Sequence, residues 1–114
     1  MPQLPHGIIR RHRLVLQDIV DIAEYIARDS VDAALRFLDS TEATVGGLLD
    51  MPGKGALCEF EEAHLAGIRF WAVDGFPNHL IFYRPTTYGV YVLSVRHGAR
   101  DLPGDLPGRA SVEP

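Results

Sequence analysis

Residues 67–101, GIRFWAVDGFPNHLIFYRPTTYGVYVLSVRHGARD, carry the pattern that decides the fold. Three short apolar segments, Ile68–Val73, Leu80–Tyr83 and Val90–Val95, are rich in Val, Ile, Phe, Tyr and Trp and are separated by Gly, Pro, Asn and Asp. Branched and aromatic side chains fit a pleated, half-buried surface, and turn residues between them let the chain reverse. The pattern therefore predicts a three-stranded antiparallel meander. Asp74-Gly75 with Pro77-Asn78 is expected to form the first turn and Pro85–Gly89 the second. In the third segment Tyr91, Leu93 and Val95 alternate with Val90 and Val92, which predicts a central strand covered on both faces. Trp71 and Tyr83 sit in alternating apolar segments and are expected in the core; stacking on bases is their other reading.

Upstream the period changes. Val15, Ile19, Ile22 and Ile26 recur at helical steps while Asp18, Asp21 and Glu24 fall on another face, predicting an amphipathic helix over 14–28. Asp29 and Ser30 break it, and Ser30 is a suitable N-cap for a second helix with Asp32 in its first turn. That helix is expected to turn Val31, Leu35, Leu38, Val45 and Leu48 or Leu49 inward and to stop near Asp50, before Met51-Pro52-Gly53. So short a connection makes the two helices an antiparallel hairpin. Gly7–His12 offers a short N-terminal strand. Residues 54–66 read as a loop pinned by Leu57, Phe60 and Leu65, with Glu59, Glu61 and Glu62 as solvated charges rather than metal ligands. The expected organisation is a loose leader at 1–6, one α+β domain of order β-α-α-β-β-β at 7–102, and a tail without regular structure at 103–114.

The 114 residues suffice for one domain, and apolar and charged shares of 46% and 23% are those of a folded globular chain. No apolar run approaches the roughly 18 residues of a spanning helix, so no membrane association is expected and a cytoplasmic protein is. A lone Cys58 excludes an internal disulfide and has no partner at redox or zinc spacing. The net charge of −4 argues against a general nucleic-acid binder. Its distribution is uneven: +3 over residues 1–13, −8 over 14–66, +2 over 67–101 and −1 over 102–114. An acidic helical side and a basic sheet side follow, and an acidic partner segment would be steered to the sheet. Candidate partner-binding residues are Arg10, Arg11, Arg13, Arg69, Trp71, Arg84, Arg96 and Arg100. The first three read foremost as solvated edge-strand charges that oppose sheet-to-sheet aggregation, and otherwise as contacts to a phosphate or carboxylate.

The segments DIVDIAEYIARDS at 18–30, ALRFLDSTEAT at 34–44, MPGKG at 51–55, GIR at 67–69, HLIFYR at 79–84 and VYVLSVRHGARD at 90–101, in this order, resemble the ParE/RelE family of type II toxin–antitoxin toxins. The likeness is to the ParE branch, that of plasmid stabilisation proteins, and runs from about Gly7 to Leu102. It implies a cognate antitoxin as partner, no cofactor and no metal, with DNA gyrase as the possible target of ParE-like members and the ribosome and its mRNA as the target of RelE-like ones.

Ribonuclease chemistry needs an activated 2′-hydroxyl, a neutralised phosphate and a protonated leaving oxygen. The residues available for it are Arg69, Arg84 and His97. The second segment has no cation before Arg84, Lys54 is the only lysine, and the chain is acidic. The leading expectation is thus a non-catalytic toxin that inhibits gyrase by binding. A ribosome-dependent endoribonuclease and a degenerate toxin retaining only antitoxin binding are the alternatives. His97, Arg100 and Asp101 are otherwise expected to close the last strand as a hydrogen-bonded cluster.

Overall fold

The computed structural model describes residues 7–60, 63–98 and 106–111. In chain order these form β1 (Ile8–Arg11), α1 (Val15–Ala27), α2 (Val31–Asp50), β2 (Ala56–Leu57), β3 (Arg69–Val73), β4 (Phe76–Pro85), β5 (Gly89–His97) and α3 (Leu106–Ser111). The sheet order is β1-β5-β4-β3-β2, antiparallel throughout except for β1 beside β5. The fold is α+β, with the helix hairpin and meander in the expected order, and β5 is an interior strand between β1 and β4. Residues 54–66, read as a loop, also contain the two-residue edge strand β2.

The α1–α2 hairpin covers one face of the sheet, here called inner. Val15, Ile19, Ala23, Ala34, Phe37, Val45 and Leu48 pack there on Val73, Ile81, Tyr83, Val90, Val92 and Val95. Ser30 caps α2 by accepting from the Ala33 N–H at 3.1 Å. Val31 and Leu35, expected inward, are 62% and 55% exposed. Phe37, Thr41 and Thr44 take the buried stripe instead. The two hydroxyls are satisfied by the Phe37 and Ser40 carbonyls one turn back. Thr44 Oγ1 also accepts from the Asp74 N–H at 3.0 Å and ties α2 to the β3–β4 turn. That turn is Asp74-Gly75 alone, with Gly75 at φ +79, and Pro77-Asn78 belong to β4 rather than to the turn. They lie where β3–β4 pairing slips, so the missing proline N–H costs no ladder bond to β3.

A second core lies on the outer face. Leu65, Ile68, Phe82, Tyr91 and Leu93 are buried there beneath Leu106 and Ala110 of α3, with Phe60 and Cys58 at the margin. Leu57, expected to pin the loop, is exposed. Residues 106–111 thus correct the expectation of an irregular tail. LPGRAS is a poor helix by propensity, but it packs against the sheet, and tertiary burial overrides a weak local preference. Gly89 is the sole residue type that fits its place: its φ is +149, and a Cβ would collide with the Ile8 carbonyl of the adjoining parallel strand.

One irregularity sets the sidedness of the sheet. Phe82 pairs with Ser94 but Tyr83 with Val92, leaving Leu93 as an extra residue in β5. Such a bulge shifts the alternation by one position. Val95 therefore joins Val90 and Val92 on the inner face, whereas strict alternation had placed it with Tyr91 and Leu93. β1 ends beside Val92, where the His12 N–H donates to the Val92 carbonyl at 2.8 Å. Beyond that point side chains take over. The Val95 N–H donates to Asp18 Oδ2 at 3.2 Å, and Arg109 Nη1 donates to the Leu93 carbonyl at 3.0 Å. Arg109 also forms a two-pronged ion pair with Asp18, Nη1 to Oδ2 at 2.6 Å and Nη2 to Oδ1 at 3.0 Å. Asp18, grouped by sequence with the solvent-facing acids of α1, is thus an anchor.

Removing one partner of a largely buried pair leaves an uncompensated charge, which costs about 3 kcal/mol. Arg109→Leu should lower unfolding stability at neutral pH by about 2–3 kcal/mol, measured as a lower urea midpoint at unchanged slope. A loss under about 0.5 kcal/mol, the scale of a surface substitution, would show that the pair is not holding the three elements together.

Candidate functional site

Residues paired across neighbouring strands share a face. Arg10 of β1 and Arg84 of β4 are both in register with Tyr91 of β5, so the two arginines flank that buried ring on the outer face, about 10 Å apart at two strand spacings. Arg10 also lies over the Tyr88 ring at 5.1 Å. Arg96, in register with the outer-facing Leu80, donates through Nε to Ser94 Oγ at 2.6 Å. Three of the sequence candidates thus form a basic surface bordering the outer core.

The other candidates are engaged elsewhere. Arg11 faces inward to Glu42 of α2 at 2.8 Å. Arg13 is exposed just past β1. Arg69 Nη1 donates to the Gly55 and Gly53 carbonyls at 2.8 and 3.2 Å, while Tyr83 donates to the Pro52 carbonyl at 2.6 Å and accepts from the Gly55 N–H at 3.0 Å. Together they clamp the MPGKG loop. Burial, only partly offset by the Gly55 N–H and the Arg69 charge, pushes the Tyr83 phenol up, keeping it the neutral donor that this clamp needs. Trp71, expected in the core, is 38% exposed and carries the Lys54 ammonium 4.8 Å above its ring; Tyr83 is fully buried, as expected. Arg100 lies outside the described residues, as do Asp101, Glu61 and Glu62.

Arg69, Arg84 and His97 are not brought together. Arg84 is on the outer face; Arg69 and His97 are on the inner. His97 pairs with His79, five residues and about 17 Å along β4 from Arg84. His97 instead meets His79 edge to face, with ring centroids 5.4 Å apart, and His79 continues into Phe37 and Phe76 at 5.3 and 6.4 Å. This aromatic cluster fastens α2 to the far end of the sheet. It was not foreseen, because the pairing depends on the β5 bulge. Among the described residues no three His, Cys, Asp or Glu side chains gather as a metal site. Burial raises the Cys58 thiol, so that group is neutral at pH 7.

The fold and the segments that resemble toxins agree with a direct comparison. The family described as ParE toxin of type II toxin-antitoxin system, parDE, matches residues 9–102. The chain belongs to this ParE toxin family. It is therefore the toxin of a type II system, and family membership implies an antitoxin partner. No curated protein matches the chain. No helix among the described residues is long and apolar enough to cross a membrane.

Burial, and next the nearby His97, lowers the pKa of His79 from its ordinary value near 6.5. As pH falls through about 6.5 the unfolded chain takes up a proton that the folded toxin resists, so this contribution to stability is whole above that pH and declines below it. The melting temperature of the toxin should fall between about pH 7.5 and 5.5, and His79→Phe, which keeps an aromatic ring against Phe37, should reduce the fall. Equal pH slopes in both proteins would remove His79 as the source.

Proposed function

We propose that this toxin acts by binding a protein, inhibiting DNA gyrase, and that its antitoxin silences it by laying an acidic segment over the outer face near Arg10, Arg84 and Arg96. What supports binding over cutting is the dispersal of Arg69, Arg84 and His97. Concerted general acid–base cleavage of RNA requires its groups within hydrogen-bond reach of one phosphate. Here the candidates occupy both faces and opposite ends of the sheet, and Arg69 is committed to backbone carbonyls. Each missing transition-state contact costs about 3–4 kcal/mol, so such a set gives little turnover.

The charge pattern supports the antitoxin half of the proposal. The outer face carries Arg10, Arg84 and Arg96 at the border of its buried core, while the helix hairpin on the other face is acidic, which orients an acidic partner during encounter.

Purified toxin added to a gyrase supercoiling reaction should inhibit it, and antitoxin should restore activity. Full supercoiling in the presence of folded toxin, or codon-positioned RNA 5′ ends appearing on induction, would overturn the target assignment. Separately, the double charge reversal Arg10→Glu with Arg84→Glu should weaken antitoxin binding about tenfold or more in calorimetry at low salt, chiefly through slower association. Unchanged affinity would place the antitoxin elsewhere.

A further inference from the structure

A cavity of about 520 Å³ opens on the inner side, between the tip of the helix hairpin and the end of the sheet farthest from the MPGKG loop. Its floor is Ile22, Ile26 and Ala33 with the rings of His79 and His97; its rim is Asp21, Tyr25, Asp29 and Ser30. The outer-face function uses none of these groups. The floor is apolar, and the rim holds two exposed carboxylates and an exposed aromatic ring.

We propose that this groove takes an arginine side chain from a basic segment of a partner protein. An arginine presents an apolar stem of three methylenes ending in a planar cation, which can lie along apolar surface while its head reaches polar groups. The stem matches Ile22, Ile26 and Ala33. The head matches Asp21 and Asp29, each able to accept charge-assisted hydrogen bonds, and Tyr25, whose ring already carries the Arg28 guanidinium at 5.5 Å on the molecule itself. One oxygen of Asp21 accepts from Gln17 at 2.7 Å, which fixes the carboxylate in place. An anionic guest would meet two carboxylates within a segment of net charge −8, so charge complementarity selects a cation. A guanidinium is preferred to an ammonium because it stacks on the ring and forms paired bonds with a carboxylate.

The test uses the whole toxin and 1-butylguanidinium as the probe, followed by amide and side-chain NMR shifts, with butylammonium, pentanoate and pentanol as comparison ligands. Saturable shifts at Ile22, Tyr25, Ile26 and His97 are expected with butylguanidinium, weaker with butylammonium and absent with pentanoate. Asp21→Asn and Asp29→Asn keep the shape of exposed side chains and should each weaken the probe about tenfold. Equal binding of pentanol or pentanoate would show an apolar or anion site and overturn the proposal, as would no saturable shift at any of these residues. A doubling of mass in sedimentation, abolished by Arg10→Ala with Arg13→Ala, would show that a second copy supplies the cation and would overturn the assignment to a different partner. Gyrase inhibition and antitoxin affinity are read in separate assays, so their failure leaves this result distinguishable.

Discussion

The ion pair of Asp18 and Arg109 is the constraint on which the rest of the structure depends. β5 is flanked by β1 only as far as Val92, and past that point the edge of β5 away from β4 has no strand beside it among the described residues. A buried donor or acceptor without a partner costs about 1–3 kcal/mol, so the edge must be closed by something. Asp18 reaches in from α1 to the Val95 N–H, Arg109 reaches in from α3 to the Leu93 carbonyl, and the two neutralise each other. Neither charge would be tolerated there alone. The result joins hairpin, sheet and terminal helix at one point, and it explains how a six-residue helix that contains Pro107 and Gly108 keeps a fixed place.

The same region decides which side of the sheet does what. The extra residue in β5 turns Val95 toward the helices and leaves Leu93 with Tyr91 on the outer face. Arg10 and Arg84 then fall on that outer face in register with Tyr91, while the His79–His97 pair falls on the inner face beneath the hairpin. The toxin acquires two surfaces of opposite character. One is basic and borders the buried outer core; the other is an apolar groove rimmed with carboxylates. Among the described residues Arg69, Arg84 and His97 do not converge on either surface.

Much of this was legible in the sequence, for physical reasons. The α1 stripe, the Ser30 cap and the meander depend on periodicity and turn chemistry, which are local. The inward face of α2 was misread because its buried stripe includes Thr41 and Thr44, polar by type but satisfied by carbonyls one turn back. Val95 was misplaced because a bulge breaks alternation without leaving a mark in composition. In residues 106–111 Pro107 and Gly108 oppose a helix that only tertiary contacts maintain, so the sequence there reads as irregular. The catalytic candidates were read from residue type; which of them converge is fixed by register, and register puts them apart.

Under the proposed function the acidic antitoxin segment meets the sheet on the outer face. Backbone amide shift mapping of the toxin–antitoxin complex tests it most directly. Shifts concentrated at Arg10, Arg84, Tyr91 and Arg96, with the Asp21–Asp29 rim undisturbed, are the predicted result. Shifts confined to α1 and α2, with the outer face unchanged, would contradict it.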